Sequence, residues 1–172
     1  WQGRLGEARE RFETCVDRCE EKGLFWGCSL FHSNAASVAW DQGDQGGVER
    51  HVERATELFE RCQGGRSGSM IYSLQALVEA GAGRHDAALR ALERGELLCA
   101  PIRKRSWTSV HLLAKALLAE RMTRDPEARS AWGSVLDRPP EAYAREALGA
   151  FQALGVRHRA SFLRERFGLE ET

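Results

Sequence analysis

Gly83-Arg84-His85-Asp86-Ala87-Ala88 decides the fold because it recurs: Gly43-Asp44-Gln45-Gly46-Gly47-Val48 and Gly3-Arg4-Leu5-Gly6-Glu7-Ala8 precede it at intervals of 40 residues, and Thr123-Arg124-Asp125-Pro126-Glu127-Ala128 follows at the same interval. A fixed period of this size marks stacked supersecondary units that share one continuous core. The register continues outward. Ala36, Ala76 and Ala116 stand seven residues before the turn, where small side chains let two helices approach. Phe12, Val52, Leu92 and Trp132 come nine residues after its start, and Cys15, Ala55, Gly95 and Val135 twelve after. Counted from Ala8, Val48, Ala88 and Ala128, these are the i, i+4, i+7 positions of a helix's buried face. Each unit therefore reads as helix, tight turn, helix. A fifth copy, Gly155-Val156-Arg157-His158-Arg159-Ala160, arrives after only 32 residues, beyond Pro139-Pro140. It is compressed, as terminal repeats often are.

Punctuation places nine helices near 3–21, 24–42, 45–62, 68–82, 85–99, 104–122, 126–137, 140–154 and 157–167. Gly23 ends the first, Gly64-Gly65 with Ser67-Gly68-Ser69 separates the third from the fourth, and Pro101 stops the fifth. Asp125-Pro126-Glu127 combines an N-cap, a proline at the first helical position and an acid suited to the helix dipole. Alternation of period two is missing, so no strand is expected.

These residues resemble the tetratricopeptide (TPR) repeat: a small residue in helix A, glycine before helix B, alanine five residues on, then a large apolar residue and another small one. The resemblance spans nearly the whole chain, with departures. The family period of about 34 residues is stretched, Val48 replaces the alanine, Thr123 replaces the glycine, and Arg164 stands where a bulky apolar residue belongs. A longer-helix variant of this kind is similar to the helical sensor regions of bacterial signalling ATPases and LuxR-type regulators. The ending, Ala147–Val156 followed by Arg159–Arg164, resembles the closing hairpin of such regions. The resemblance implies an all-α superhelix of helical hairpins, here as one domain over residues 1–172.

Composition narrows the function. With 25 basic and 25 acidic residues the chain lacks the basic excess that phosphate binding needs, so no nucleic-acid partner is expected. Residues 1–100 hold 12 bases and 16 acids, and residues 101–172 hold 13 and 9, a mild dipole along the array. No run of 18 apolar residues is present, which argues against a membrane span. Five cysteines without a secretory leader point to a reducing, cytoplasmic setting rather than a disulfide framework. The first unit opens on its second helix, which leaves Leu5, Ala8, Phe12 and Cys15 partly uncovered. That stripe predicts either an upstream continuation or self-association through this face.

Few motifs in the chain carry chemistry. The Gly64–Gly68 stretch lacks the lysine and hydroxyl residue of a phosphate loop, no nucleophile elbow occurs, and the scattered acids offer no distinct pair. The expectation is a non-enzymatic chain without cofactor. One cluster invites a metal: Cys15 and Cys19 in the first helix mirror Cys28 and His32 in the second about Gly23, and three thiolates with an imidazole suit tetrahedral zinc. The competing reading is small packing residues and a core histidine, since free cysteine is commonly buried. Trp26, Trp107 and Trp132 read as structural, being at helix starts or on the buried face.

In the TPR family the A helices line a concave groove. Carried over by register, that lining is Leu30, Ser33, Ser37, Trp40 and Asp41, then Met70, Ser73 and Leu77, then Val110, Leu113 and Arg121. Apolar anchors with a few polar specifiers suit a peptide or helix laid along a groove. The resemblance implies a protein-interaction or sensor module of a larger bacterial signalling protein. A small metabolite held inside the superhelix is the alternative, and a zinc-stabilised module the third.

Overall fold

The computed structural model describes residues 4–62, 68–99 and 105–170, the last segment with backbone only for 105–107. Within them lie nine α-helices and no strand: α1 (Leu5–Glu21), α2 (Phe25–Gln42), α3 (Gln45–Arg61), α4 (Gly68–Gly81), α5 (His85–Cys99), α6 (Arg105–Arg124), α7 (Pro126–Trp132), α8 (Pro140–Ala153) and α9 (Arg157–Phe167). The expectations for Trp1, Gly3, Gly64–Ser67, Pro101 and the Trp107 side chain fall outside the described residues.

The period survives at the level of single hydrogen bonds. Gly43 and Gly83 both adopt the left-handed conformation, φ 72° and 74°, which a Cβ would oppose. Around Gly43 the Asp44 N–H reaches back to the Ala39 carbonyl at 2.9 Å, and around Gly83 the Arg84 N–H reaches the Glu79 carbonyl at 2.9 Å. This six-residue closure satisfies carbonyls that the ending helix would otherwise leave bare. Gly155 repeats it through Val156 and Phe151 at 2.9 Å.

Buried faces follow the register as well. Ala36, Ala76 and Ala116 are fully buried, as are Ala88 and Ala128, and Val52, Leu92 and Trp132 fill equivalent places beside them. In chain order α1 packs on α2, α2 on α3, α3 on α4, α4 on α5, α5 on α6, and α6 on α7, while the A helices α2, α4, α6 and α8 also contact one another in succession. Each core is shared with the next unit, which is how a repeat array buries its apolar faces.

Order breaks at α7. The helix expected over 126–137 stops at Trp132. Gly133 and Ser134 propagate a helix poorly, Leu136 folds inward as a buried residue, and Pro139-Pro140 hold the chain extended. The shortened α7 makes no direct packing contact with α8, so α8 lies against α6 instead.

Candidate functional site

The A-helix face is more closed than the register suggested. Ser33, Ser37, Met70, Ser73, Val110 and Leu113 are all buried, so they do not line an open groove. Met70 and Val110 belong to one apolar cluster with Ala36, Val48, Val52 and Leu74, and Leu113 belongs to the larger core around Leu92 and Trp132. The reason is the lateral stacking of α4 on α6 and α6 on α8, which consumes positions a wider array would leave open. Leu30, Trp40, Leu77 and Arg121 remain half-buried, whereas Asp41 keeps only its backbone partly exposed.

Three of those, Trp40, Leu77 and Arg121, line a cleft of about 500 Å³ together with Leu117, Glu120 and Arg166. Its floor is apolar and its rim is charged. Arg121 is paired with Asp125, the N-cap of α7, at 3.4 Å, and Glu120 accepts from both Arg124 at 3.2 Å and Arg166 at 2.7 Å.

One wall of this cleft comes from α9, which returns to the start of the array. Arg159 donates from Nε to Asp41 Oδ1 at 2.8 Å and from a terminal nitrogen to Oδ2 at 3.0 Å. The same nitrogen donates to the Ser37 hydroxyl at 2.6 Å and to its carbonyl at 3.0 Å. Both side chains are deeply buried, 4% exposed for Arg159 and 2% for Asp41. His158 Nε2 adds a contact to Asp41 at 2.9 Å, and Phe162 meets Trp40 edge-on at 5.5 Å between centroids. A planar fork on a carboxylate, desolvated and completed by further acceptors, is the strong form of an ion pair. In this structure α9 therefore occupies Asp41, a residue expected to specify a partner, and Ser37, expected to line the groove.

A second polar assembly escaped the sequence reading. Ser73 Oγ lies 2.9 Å from His111 Nδ1, and His111 Nε2 lies 2.8 Å from Glu96, which also pairs with Lys115. The hydrogen bond from His111, helped by Lys115 against the cost of burial, holds the Glu96 carboxyl down to about 2. The order serine, histidine, carboxylate is that of a nucleophilic triad. Ser73 has 0% of its surface exposed, however, and its hydroxyl donates to the Ser69 carbonyl at 2.6 Å. Substrate has no approach, and the assembly ties α4, α5 and α6 together. The one sequence signal was Gly95, where a Cβ would come within 3.1 Å of the His111 ring.

The cysteine and histidine cluster divides in two. Cys19 and Cys28 pack together with Leu58, whereas His32 turns to α3, its Nδ1 3.0 Å from Nδ1 of His51. Burial first, and the neighbouring His51 second, push His32 down to about 4. Cys15 is half-buried, and among the described residues no three histidine, cysteine or acidic side chains gather where they could hold a metal. The mirror arrangement about Gly23 brings two thiols together but sends the imidazole elsewhere, so the zinc set is not formed.

Trp132 is structural, buried and donating from Nε1 to the His85 carbonyl at 2.9 Å. Trp26 is not: it is 51% exposed beside Leu24 and Phe25. Leu5, Phe12 and Cys15 are half-buried on α1, and no helix of the described residues is long and apolar enough to cross a membrane. No protein-family model matches the chain, and comparison with curated proteins and with solved structures likewise returns no match.

Proposed function

We propose that the chain is a non-catalytic recognition module, a TPR-like array that binds a polypeptide segment on its A-helix face and serves a larger bacterial signalling protein. The observation that carries this reading is α9. Side chains of α9 already engage that face, reaching α2 through an arginine on Asp41 and a phenylalanine on Trp40. These are the anchor types that dominate helix-in-groove recognition. A partner would use the open remainder of the face, the cleft over Leu77 and Leu117. Selecting peptides against the full chain and measuring their affinity by fluorescence anisotropy tests this. Leu77→Glu should weaken selected peptides at least tenfold with the far-ultraviolet dichroism unchanged; peptides indifferent to Leu77→Glu would overturn the reading.

The second reading, a small-molecule sensor, is favoured by the size and lining of the same cleft. About 500 Å³ with an apolar floor lies within the range of small-ligand sites, roughly 300–1,000 Å³. Thermal-shift screening with sugars and metabolites separates it from peptide recognition. In either case the output is a population shift: a ligand touching α2, α4, α6 and α9 favours one spacing of units held only by their neighbours.

A further inference from the structure

The two thiols that the α1–α2 hairpin brings together have no part in that recognition face. Cys19 lies in the last turn of α1 and Cys28 in the first turn of α2. The backbone between them is closed tightly: the Leu24 N–H donates to the Cys19 carbonyl at 2.8 Å, and the Cys28 N–H donates to the Leu24 carbonyl at 2.9 Å. The side chains of Cys19 and Cys28 meet in a small buried cluster with Leu58. Gly27 makes room for this. A Cβ at that position would fall 2.9 Å from Cys19 Sγ, inside contact distance, so any larger residue would drive the sulfur away from its neighbour. Cys19 is 9% exposed and Cys28 1%, which makes Cys19 the thiol an oxidant meets first.

We propose that Cys19 and Cys28 form a dithiol–disulfide switch that staples α1 to the array, with a low-molecular-weight disulfide such as oxidised glutathione as the oxidant. The chemistry balances in two exchanges. The Cys19 thiolate attacks one sulfur of oxidised glutathione, a sulfur–sulfur bond forms to Cys19, and one glutathione thiolate leaves. The Cys28 thiolate then attacks Cys19 Sγ and expels the second glutathione thiolate. Two protein thiols are oxidised, two glutathione thiols are produced, and the two cysteine protons pass to solvent and the leaving thiolates. Burial raises the Cys28 thiol, so the second exchange quickens at alkaline pH. What closure changes is the freedom of α1, whose main packing partner is α2, with Leu58 of α3 behind the two thiols.

The test uses the full chain incubated with oxidised glutathione, then alkylated, denatured and digested with trypsin. Cleavage after Arg18, Lys22 and Arg50 puts Cys15, Cys19 and Cys28 on three different peptides, Phe12–Arg18, Cys19–Lys22 and Gly23–Arg50. The expected product is Cys19–Lys22 joined to Gly23–Arg50, two hydrogens lighter than the sum of the two. It should raise the melting midpoint by about 5 °C, reversibly with dithiothreitol. Cys15→Ser should leave the link intact. Gly27→Ala should slow closure at least tenfold while the helix content stays unchanged. A glutathione adduct that never closes, a link involving Phe12–Arg18, or equal closure in Gly27→Ala would overturn the proposal.

Discussion

The segments Phe25–Cys99 and Arg105–Phe167 follow one repeat, yet the corners on its 40-residue register are turned by different means, and the glycine turn returns only at Gly155. In the first, Gly43 and Gly83 supply left-handed residues, and the same carbonyl-closing bond appears at both. In the second, Thr123 stands in the glycine's place and simply continues α6, its hydroxyl donating to the Glu120 carbonyl at 2.7 Å. The corner there is Asp125, whose carboxylate accepts from the Glu127 and Ala128 N–H groups at 3.0 and 3.1 Å. Ala128 and Trp132 nonetheless occupy the same buried positions as Ala88 and Leu92. The apolar register, rather than the turn glycine, keeps the units in step.

The sharpest way to break this comparison is to remove the register residue of the irregular segment. Trp132→Ala deletes a fully buried ring and its hydrogen bond to His85, and should cost about 4 kcal/mol in denaturant unfolding. Loss of under about 1 kcal/mol would mean that the second segment does not depend on the repeat core. Acid probes the regular segment. His32 and His51 are depressed mainly by burial, so the native state holds them neutral. A histidine whose folded value lies below its unfolded one stabilises above the unfolded value and loses that contribution as the pH falls through the folded value. The melting midpoint should therefore fall between pH 6.5 and about 4, and His32→Gln should flatten that slope. Glu96, depressed from 4.5 to about 2, contributes a separate loss below that window.

Smaller effects sharpen the contrast between corners. Gly43→Ala and Gly83→Ala should each cost about 1–2 kcal/mol, the price of a left-handed alanine. Thr123→Gly should also destabilise, by under about 1 kcal/mol, because it enters the last turn of α6 and loses the hydroxyl bond to Glu120. A stabilising Thr123→Gly would show that the missing glycine is a defect rather than an alternative design. Smallest of all, Asp44→Ala and Asp125→Ala should lower the melting midpoint by similar small amounts, since each removes a helix cap.

Most of the helical architecture was legible because it rests on local chemistry. Gly43, Gly83, Asp125 and Pro139-Pro140 mark corners that the backbone obeys, and the alanine and large-apolar positions fall on buried faces. The end of α7 was overextended because periodicity through Val135 and Leu136 cannot distinguish a helix from a turn that folds a leucine inward. The site was far less legible. Register locates a helix face but not how tightly neighbouring A helices close over it, so Met70 and Val110 read as lining when they are core. Asp41 and Arg159 lie 118 residues apart; register put Asp41 in the groove and Arg159 in the closing hairpin, and only packing reveals them as a buried pair. His32 illustrates the same limit, since the choice between Cys28 and His51 as its neighbour depends on side-chain direction.

Arg159 of α9 reaches back to Asp41 of α2, and a double-mutant cycle on Asp41→Ala and Arg159→Ala probes that contact. The two losses should be strongly non-additive, with a coupling of about 2 kcal/mol or more, because either single change strands a buried charge. Additivity within about 0.5 kcal/mol would contradict it and separate the last helix from the face it is said to cover.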